Sequence, residues 1–311
     1  MSHTVLITGG AGFIGSNLAR AALARGDEVR IIDDLSTGRR ANLEGLDIEL
    51  FEASILDAST LARAVDGCHV VFHMAGQVSV ARSVDEPAMT HEVNATGSLR
   101  VYQAARAAGV ERVVYSASCA AYGQTEALPI HESTAPSPDS PYAASKLMGE
   151  LYGSAWSRAM GLEVVSLRYF NVYGPRQNPA GGYAAAIPAF ITRLLRGEDI
   201  TIHGDGEQTR DFVFVDDVVQ ANIRASTAPG AAGHVVNVGS GQRISVNTLV
   251  STLQDIIPST TNVVHGPPRV GDIRHSVADT SAASALLDFD AATSIAEGLT
   301  RTVAWYREAS P

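Results

Sequence analysis

The sequence predicts an α/β fold in which a parallel sheet carries helices on both faces. Apolar runs of strand length alternate with segments of helical period through the first half of the chain. This repeated strand–helix order is typical of parallel sheets. The chain has 311 residues, of which 45% are hydrophobic and 18% charged, as expected for a globular protein with one large or two closely packed domains.

Six strands are predicted in the first half, and we assign them with their helices to a first domain over residues 1–170. In chain order the elements are the strand TVLITG, a helix from about 12 to 25, the strands EVRIID and DIELFE, a helix starting near 57, the strand HVVFHMA, a long helical stretch from about 86 to 108, the strand VERVVYSAS, an alanine-rich helix from about 141 to 160, and the strand LEVVSLRYF.

The pattern loosens after Phe170 into Gly/Pro-rich segments such as VYGPRQNPAGGYAAAIP, with a final helix near 295–308. We predict that residues 171–311 form mainly a smaller C-terminal α/β lobe, built largely from loops, that binds the substrate. Segments around 211–240 are expected to complete the first domain. Loops on a rigid scaffold commonly carry specificity.

Charge and cysteine content exclude several classes of function. The chain has 33 acidic and 23 basic residues and no Lys/Arg-rich run, so it lacks the basic footprint of a nucleic-acid binder. Cys68 and Cys119 lie in unrelated contexts, outside any CxxC or Cys/His cluster, which favours a reducing, cytoplasmic location and no metal. The first apolar run has only strand length, and none reaches eighteen residues, so we expect neither a signal peptide nor a membrane partner.

A glycine-rich turn, TGGAGFIG, lies between the first predicted strand and the first helix. Its glycines satisfy both GxxGxxG and, counting from Gly10, GxGxxG. Glycine lets the backbone approach a pyrophosphate closely, and the first helical N–H groups then point at it. For the glycine pattern alone, a tight turn without a ligand is about equally probable on motif grounds; its position here favours a dinucleotide in a Rossmann-type, doubly wound sheet. The contacts are expected from Gly9, Gly12, Phe13, Ile14 and Gly15.

Asp33 ends the second strand, eighteen residues beyond Gly15. A carboxylate there accepts hydrogen bonds from the adenosine ribose and repels a 2′-phosphate, which favours NAD over NADP. Arg39 and Arg40 could reverse this preference, although a solvated loop is the simpler interpretation of them. We also assign the loop residues Asp34, Ser36, Thr37 and Gly38 to the cofactor site.

Tyr142 and Lys146 lie four residues apart at the start of a predicted helix, so both side chains project from one face. A buried ammonium near a phenol would lower the tyrosine pKa and make Tyr142 a general base or acid. The spacing alone is weak, because it recurs by chance. Ser118 strengthens it, since it ends a strand at the sheet edge where ligands bind.

The motifs TGGAGFIG, HMAGQVSV, VNATGSL, YSASCAAYG, SPYAASK, RYFNVYGPRQ, GDGEQTRDFVFVDD and GDIRHSVAD follow in order along nearly the whole chain. This series resembles the extended short-chain dehydrogenase/reductase family and, within it, the NAD-dependent nucleotide-sugar epimerases and dehydratases. The resemblance implies a catalytic triad of Ser118, Tyr142 and Lys146, with Lys146 also holding the nicotinamide ribose. It places further residues in the cofactor cleft, namely Met74, Ala75, Gly76, Asn94, Ser116 and Phe170.

Two other implications of the resemblance are less direct. Many relatives bind adenine with an Asp-Ile or Asp-Leu pair at the end of the third strand. In this chain the matching pair is Ser54-Ile55. The family likeness also implies a homodimer through the helices near 92–108 and 141–160. Their alanine-rich faces would equally suit packing on the parent sheet.

The positions between Ser118 and Tyr122 distinguish related reactions. Dehydratases that resemble this chain carry an Asp-Glu pair there, and UDP-glucuronate decarboxylases keep the glutamate, whereas this chain has Cys119 and Ala120. We therefore expect reversible oxidation at the sugar C4, with turnover of the 4-keto sugar and NAD retained. Cys119 is interpreted as a small buried hydrophobe, and the alternative is an acid or nucleophile in a 5,6-dehydration. A non-catalytic NAD-binding interaction protein is the remote alternative.

The resemblance also assigns a UDP-sugar site. Asn171, Arg210 and Arg269 match diphosphate ligands, and Asp272 matches the ligand of the uridine ribose. Small Ser276 leaves room for an acetamido group, while Asn178 stands where UDP-glucuronate epimerases carry arginine. We rank UDP-GlcNAc/UDP-GalNAc first, UDP-Glc/UDP-Gal second and UDP-glucuronate third. The full predicted set is Ser118, Asn171, Thr201, His203, Arg210, Arg269, Asp272 and Ser276.

Overall fold

A computed structural model of the chain describes residues 3–179, 186–259, 261–268 and 273–309. The strands in these ranges are β1 Thr4–Thr8, β2 Glu28–Asp33, β3 Glu49–Glu52, β4 Val70–His73, β5 Arg112–Ser118, β6 Glu163–Tyr169, β7 Asn171–Tyr173, β8 Ile200–His203, β9 Thr209–Arg210, β10 Phe212–Phe214, β11 Val235–Val238, β12 Ile244–Ser245 and β13 Val263–Gly266. The helices are α1 Phe13–Ala24, α2 Ala58–Val65, α3 Val80–Asp85, α4 Pro87–His91, α5 Gly97–Ala107, α6 Pro141–Ala159, α7 Ala186–Arg196, α8 Val215–Ala225, α9 Val246–Ile256, α10 Ser281–Leu287 and α11 Ile295–Ala309.

The main sheet has seven parallel strands in the order β11-β6-β5-β4-β1-β2-β3. The strand order reverses direction at β1, between β4 and β2. In doubly wound sheets the ligand crevice lies beyond the carboxyl ends of the strands at such a point. The predicted fold class, with its parallel sheet, is confirmed.

Helices cover both faces of this sheet, and each face has its own hydrophobic core. On one face α1, α8 and α10 pack through Leu18, Val218 and Leu287. On the other face α2 and α5 pack through Leu61 and Val101, with Trp156 of α6 at the margin. The strands read as continuous apolar runs because they are buried from both sides.

A third core lies in the second half of the chain and joins α7, α9 and α11 through residues such as Ile191, Leu249 and Leu299. The small strand pairs β10–β7, β12–β9 and β13–β8 surround it. The expectation that this half is built largely from loops is therefore wrong for the described residues. Its strands are too short, at two to four residues, to give a clear periodic signal.

The long helix predicted from about 86 to 108 is interrupted. It begins as α4, passes through a π-helical segment at Glu92–Thr96 and continues as α5. Such segments are uncommon and frequently occur at functional sites. No helix within the described ranges is both long and apolar enough to cross a membrane.

Candidate active site

The glycine turn connects β1 to α1 at the point where the strand order reverses. A Cβ atom added at Gly9 would lie 2.7 Å from Ala75 Cα, and one at Gly15 would lie 2.3 Å from Gly9 O. Gly9 also has a φ of +68°, which favours glycine. Gly12 is the N-cap of α1 and provides no side-chain hydrogen bond. The first N–H groups of a helix have no intrahelical acceptor, and without a side-chain cap they suit a bound anion.

Asp33 lies beside this turn, at the end of β2. Its carboxylate accepts hydrogen bonds from Ala11 N at 2.9 Å and Leu35 N at 2.8 Å. Burial raises the pKa of Asp33, and these two N–H groups partly offset the rise. A Cβ at Gly38 would lie 2.9 Å from Asp33 Oδ1, so the following loop folds closely against the carboxylate.

In the rest of that loop, Ser36 and the two arginines donate hydrogen bonds to protein acceptors. Asp34 accepts hydrogen bonds from the backbone N and the hydroxyl of Ser36, and Thr37 is exposed. Arg39 donates to Asn178 Oδ1 at 2.5 Å, and Arg40 forms an ion pair with Glu52. Neither guanidinium therefore needs a 2′-phosphate as its partner.

The predicted adenine pair, Ser54 and Ile55, follows β3. Ile55 is buried and lies against the start of α5, since a Cβ on Gly97 would lie 2.6 Å from its Cδ1. Ser54 Oγ accepts a hydrogen bond from Leu56 N at 3.2 Å. Ile55 is thus a packing residue, and Ser54 remains partly exposed beside it.

Asn94, in the π-helical segment, is almost fully buried. Its Oδ1 accepts from Gln77 N at 2.7 Å, and its Nδ2 donates to Gln77 O and Ser145 Oγ, both at 2.9 Å. A Cβ on Gly76 would lie 3.1 Å from Asn94 Oδ1. Asn94 therefore fixes the predicted cofactor loop at Ala75–Gln77 to the helix α6.

Sequence reasoning missed a buried hydrogen-bonded chain beneath this loop. Ala75 N donates to Thr8 Oγ1 at 3.1 Å, Thr8 Oγ1 bonds His73 Nδ1 at 2.8 Å, and His73 Nε2 bonds Ser98 Oγ at 3.0 Å. Burial, with the nearby Lys146 charge, lowers the pKa of His73 to about 3. A neutral His73 thus joins β1, β4 and α5. No motif signals this role, because it depends on the register of two strands.

The three residues predicted for catalysis come together between β5 and α6. Ser118 ends β5, and its hydroxyl lies near that of Tyr142 in the first turn of α6. Ser140 caps the helix by accepting from Ala143 N at 3.1 Å. One turn later, Lys146 is 4% exposed. Its Nζ donates to Ser116 Oγ at 3.2 Å and lies 4.8 Å from the centroid of the Tyr115 ring.

The pKa values of this group differ from the prediction. Burial lowers the pKa of Lys146 to about 7, because no carboxylate offsets the cost of burying the ammonium. Burial raises the pKa of Tyr142, and the nearby Ser118 hydroxyl opposes that rise. The expectation that Lys146 lowers the pKa of Tyr142 is therefore wrong for the polypeptide itself. Lys146 Nζ is directed at Ser116.

Cys119 follows Ser118 in a 3₁₀ turn that ends at Tyr122. It packs on a small cluster with Tyr122, Ile130 and Phe170. Burial raises the pKa of its thiol to about 12, so it stays protonated at neutral pH. Cys119 is only partly buried, and its packing and protonated thiol favour the interpretation as a small hydrophobe over that of an acid or nucleophile.

Four predicted substrate residues share one pocket of 350 Å³ beside β7 and α7: Asn171, Thr201, His203 and Arg210. Asn171 is held by its own side chain, which donates to Asp211 O at 3.1 Å. Ser276 is buried, and its backbone N donates to Thr209 O, but it does not line this pocket. Arg269 and Asp272 lie outside the described residues.

The model for the NAD dependent epimerase/dehydratase family matches residues 5–239. The chain belongs to this family. It is 40% identical to the UDP-glucose 4-epimerase of Mycolicibacterium smegmatis, over 98% of this chain and 99% of the relative. A Thermotoga maritima UDP-glucose 4-epimerase structure with UDP-glucose has a TM-score of 0.95 at 39% identity, covering 99% of this chain and 100% of that one. A UDP-N-acetylglucosamine 4-epimerase from Methanobrevibacter ruminantium M1, in complex with UDP-N-acetylmuramic acid, has a TM-score of 0.95 at 37% identity and 99% coverage of both chains.

NAD is the cofactor of the epimerase/dehydratase family, and the residues present fit it. A Cβ at Gly9 or Gly15 would collide with the backbone of Ala75 or of Gly9, so only glycine permits the tight turn that a pyrophosphate site requires. The buried Asp33 carboxylate keeps lone pairs for ribose hydroxyls beyond its two backbone bonds. The glycine turn and the carboxylate therefore provide this family member with both halves of an NAD site.

The pocket of this family member also contains residues that sequence reasoning missed. Phe190 and Arg193 reach it from α7, and Gln177 and Gln208 reach it from the loops after β7 and β8. The helical period of AIPAFITRLLR could have identified the two α7 residues. The two glutamines carry no comparable signal.

Proposed function

We propose that the protein catalyses the reversible C4 epimerisation of a UDP-sugar through a transient 4-keto intermediate, with tightly bound NAD. The observation that carries the proposal is the turn from Ser118 to Tyr122, which has Cys119 and Ala120 and no carboxylate. Elimination of water requires an acid and a base beside C5 and C6. Oxidation at C4 requires only one proton-transfer group, which Tyr142 supplies. The names of the epimerase relatives support the same reaction.

In this mechanism Tyr142 removes the proton of the C4 hydroxyl and later returns it. Ser118, whose hydroxyl lies near that of Tyr142, would orient the phenol. Bound NAD would supply the hydride acceptor and donor at C4. Lys146, one helical turn from Tyr142, would bind the nicotinamide ribose.

The sugar is proposed to carry an acetamido group. Small Ser276 and the likeness of RQNPAGGYAAAIP to epimerases of UDP-N-acetylhexosamines support UDP-GlcNAc/UDP-GalNAc, ahead of UDP-Glc/UDP-Gal. Ser276 is buried away from the pocket lining, so its small size supports this choice only indirectly. UDP-glucuronate ranks third because Asn178 replaces an arginine.

Separate incubations with UDP-GlcNAc, UDP-Glc and UDP-GlcA, followed by NMR of the anomeric and C4 protons, test both levels of the proposal. We expect a C4 epimer from UDP-GlcNAc at the highest kcat/KM. A higher kcat/KM for UDP-Glc or UDP-GlcA would reject the substrate ranking. Absence of an epimer from all three, or loss of water from any, would reject the reaction.

We also propose that residues 1–170, completed by segments around 211–240, bind NAD and that the remainder mainly binds the UDP-sugar. The addition of β11 to the main sheet and the packing of α8 against α1 support the first part. The second part is supported by the pocket, whose lining falls within 171–246. A cytoplasmic location stays a prediction.

A homodimer is proposed through the helices near 92–108 and 141–160. A groove of 450 Å³ lies between these helices, lined by Ala95, Leu99, Met148, Leu151 and Tyr152 among others. Met148, Leu151 and Tyr152 are 39%, 59% and 43% exposed. Large apolar side chains clustered at a surface favour association, and a second copy would cover them with the same face.

A further inference from the structure

Asn17, on the second turn of α1, connects the glycine turn with the chain that follows β7. It is 8% exposed. Its Nδ2 donates to Phe13 O at 2.8 Å and to Pro175 O at 3.1 Å. Its Oδ1 accepts from Arg176 Nη1 at 2.6 Å. One buried amide therefore holds both the first turn of α1 and two residues of a distant segment.

We call residues 174–178 the linking segment. The hydrogen bonds to Asn17 stabilise this segment, which contains one residue in an unfavourable backbone conformation. Arg176 has a φ of +72°, and a residue with a Cβ loses roughly 1–2 kcal/mol in the left-handed region. Its half-buried guanidinium forms no ion pair with a carboxylate among the described residues, and its Nη1 donates to Asn17 Oδ1. The bond to Asn17 thus accounts for the position of Arg176.

The linking segment continues directly into the wall of the sugar-nucleotide pocket. Gln177 lines that pocket, and its Nε2 donates to Val172 O, another lining residue, at 3.1 Å. At its far end Asn178 accepts from Arg39, in the loop that follows Asp33. The linking segment therefore contacts Asn17 of α1, the loop that follows Asp33, and the pocket beside α7.

We propose that Asn17 is a positioning residue that couples the two sites, acting through Arg176 and Gln177. Bound NAD would fix the first turn of α1, Asn17 would carry that order to the linking segment, and the pocket wall would be set for the UDP-sugar. Linkage is reciprocal, so a UDP group in the pocket must equally strengthen NAD binding. The inference rests on the proposed function in taking this pocket as the UDP site.

The coupling is measured with NAD and UDP as probes on the NAD-containing protein and on protein stripped of NAD. We expect UDP to tighten NAD binding by about 5- to 150-fold in the unchanged chain, the usual range of coupling. In Asn17→Ala we expect this coupling factor to fall toward one. The KM of the UDP-sugar should rise, while kcat at saturating NAD should stay within about twofold. This pattern is expected because the variant weakens substrate binding and leaves the chemical step unchanged. Asn262→Ala is the matched control, since this amide bridges to Asp199 away from the linking segment.

Arg176→Met and the double variant keep the test decisive if Asn17→Ala folds poorly. Arg176→Met removes the same bond from the other side, so its effect on coupling should equal that of Asn17→Ala, and the double variant should add nothing. Additive effects, an unchanged coupling factor in both single variants, or a fall in kcat at constant KM would overturn the inference. If the unchanged chain couples NAD and UDP without epimerising any UDP-sugar, the proposed function fails and the coupling stands. If it binds no UDP, both fail.

Discussion

At the residue scale, burial shifts the pKa values of Tyr142 and Lys146, two of the residues proposed for catalysis, in opposite directions. Burial raises the pKa of Tyr142 from its ordinary value of 10.0 and lowers that of Lys146 from 10.5 to about 7, so the proton affinities of the two groups move apart. The nearby Ser118 hydroxyl opposes the rise in the pKa of Tyr142. Tyr142, the proposed proton-transfer group, and Lys146, a titratable cation, thus lie within one turn of α6.

Tyr142→Phe removes the phenol and keeps the ring in place. Because proton transfer by a positioned side chain contributes about 10²- to 10⁴-fold, we expect kcat to fall by that factor. NAD should remain bound at its usual stoichiometry, since the glycine turn and Asp33 are untouched. The epimer NMR assay and the absorbance of released NAD measure these two quantities. Activity within a few-fold of the unchanged protein would exclude Tyr142 as the base.

The low pKa of Lys146 predicts a pH dependence of stability in NAD-free protein. The unfolded chain keeps this proton up to the ordinary lysine pKa of 10.5, whereas the folded chain releases it near 7. Between these values the unfolded state binds more protons, so the free energy of unfolding rises with pH by at most about 1.4 kcal/mol per unit. Below pH 7 the penalty of burying the charge is complete.

Lys146→Met lacks this titration. Urea unfolding of both proteins at several pH values should show the unchanged protein gaining stability relative to Lys146→Met above pH 7. Parallel curves for the two proteins over this range would contradict the burial of a charged Lys146.

At the scale of elements, the site depends on close approaches that only glycine permits and on interruptions of regular structure. The strands and helices around the glycine turn were predictable because their periodicity is strong and their turn chemistry is specific, as in TGGAGFIG. The π-helical segment that carries Asn94 was not, since its five residues have the composition of an ordinary helix. The hydrogen-bonded chain through His73 and the positions of Gln177 and Gln208 in the pocket depend on tertiary packing, which no local pattern records.

Gly15→Ala tests the close approach at the glycine turn. The new Cβ would lie 2.3 Å from Gly9 O, which forces the turn to move. We expect NAD to be lost during gel filtration and stability to fall by about 1–3 kcal/mol, as in other overpacked sites.

Gly67→Ala is the matched control, because its φ is +69° but no atom lies within 4 Å of the added Cβ. It should lose only the strain of the left-handed region, roughly 1–2 kcal/mol, and retain NAD. Retention of NAD by Gly15→Ala to the same extent would argue against pyrophosphate binding at this turn.

At the scale of the whole molecule, the apolar face on α5 and α6 lies apart from the pocket beside α7. The proposed dimer would bury that face while leaving the pocket beside α7 open to the sugar nucleotide. Dimerisation would also hold α6, the helix that carries Tyr142 and Lys146, from its outer side.

Leu151→Glu places a charge on the groove, at a side chain that is 59% exposed. Sedimentation should show a dimer for the unchanged chain and a monomer for this variant, because a buried unpaired carboxylate is costly. Val264→Glu, at an apolar residue 49% exposed on β13, should leave the dimer intact. A monomer for the unchanged chain, or a dimer for Leu151→Glu, would exclude this interface.

The most direct test of the proposed reaction follows a deuterium label placed at C4 of UDP-GlcNAc. The purified protein would be incubated with this substrate without added NAD, and the label located by NMR and mass spectrometry. We predict that the C4 epimer forms with deuterium retained at C4, because the same hydride equivalent leaves and returns within one turnover. Exchange of the label with solvent, or a product lighter by one water, would contradict the mechanism.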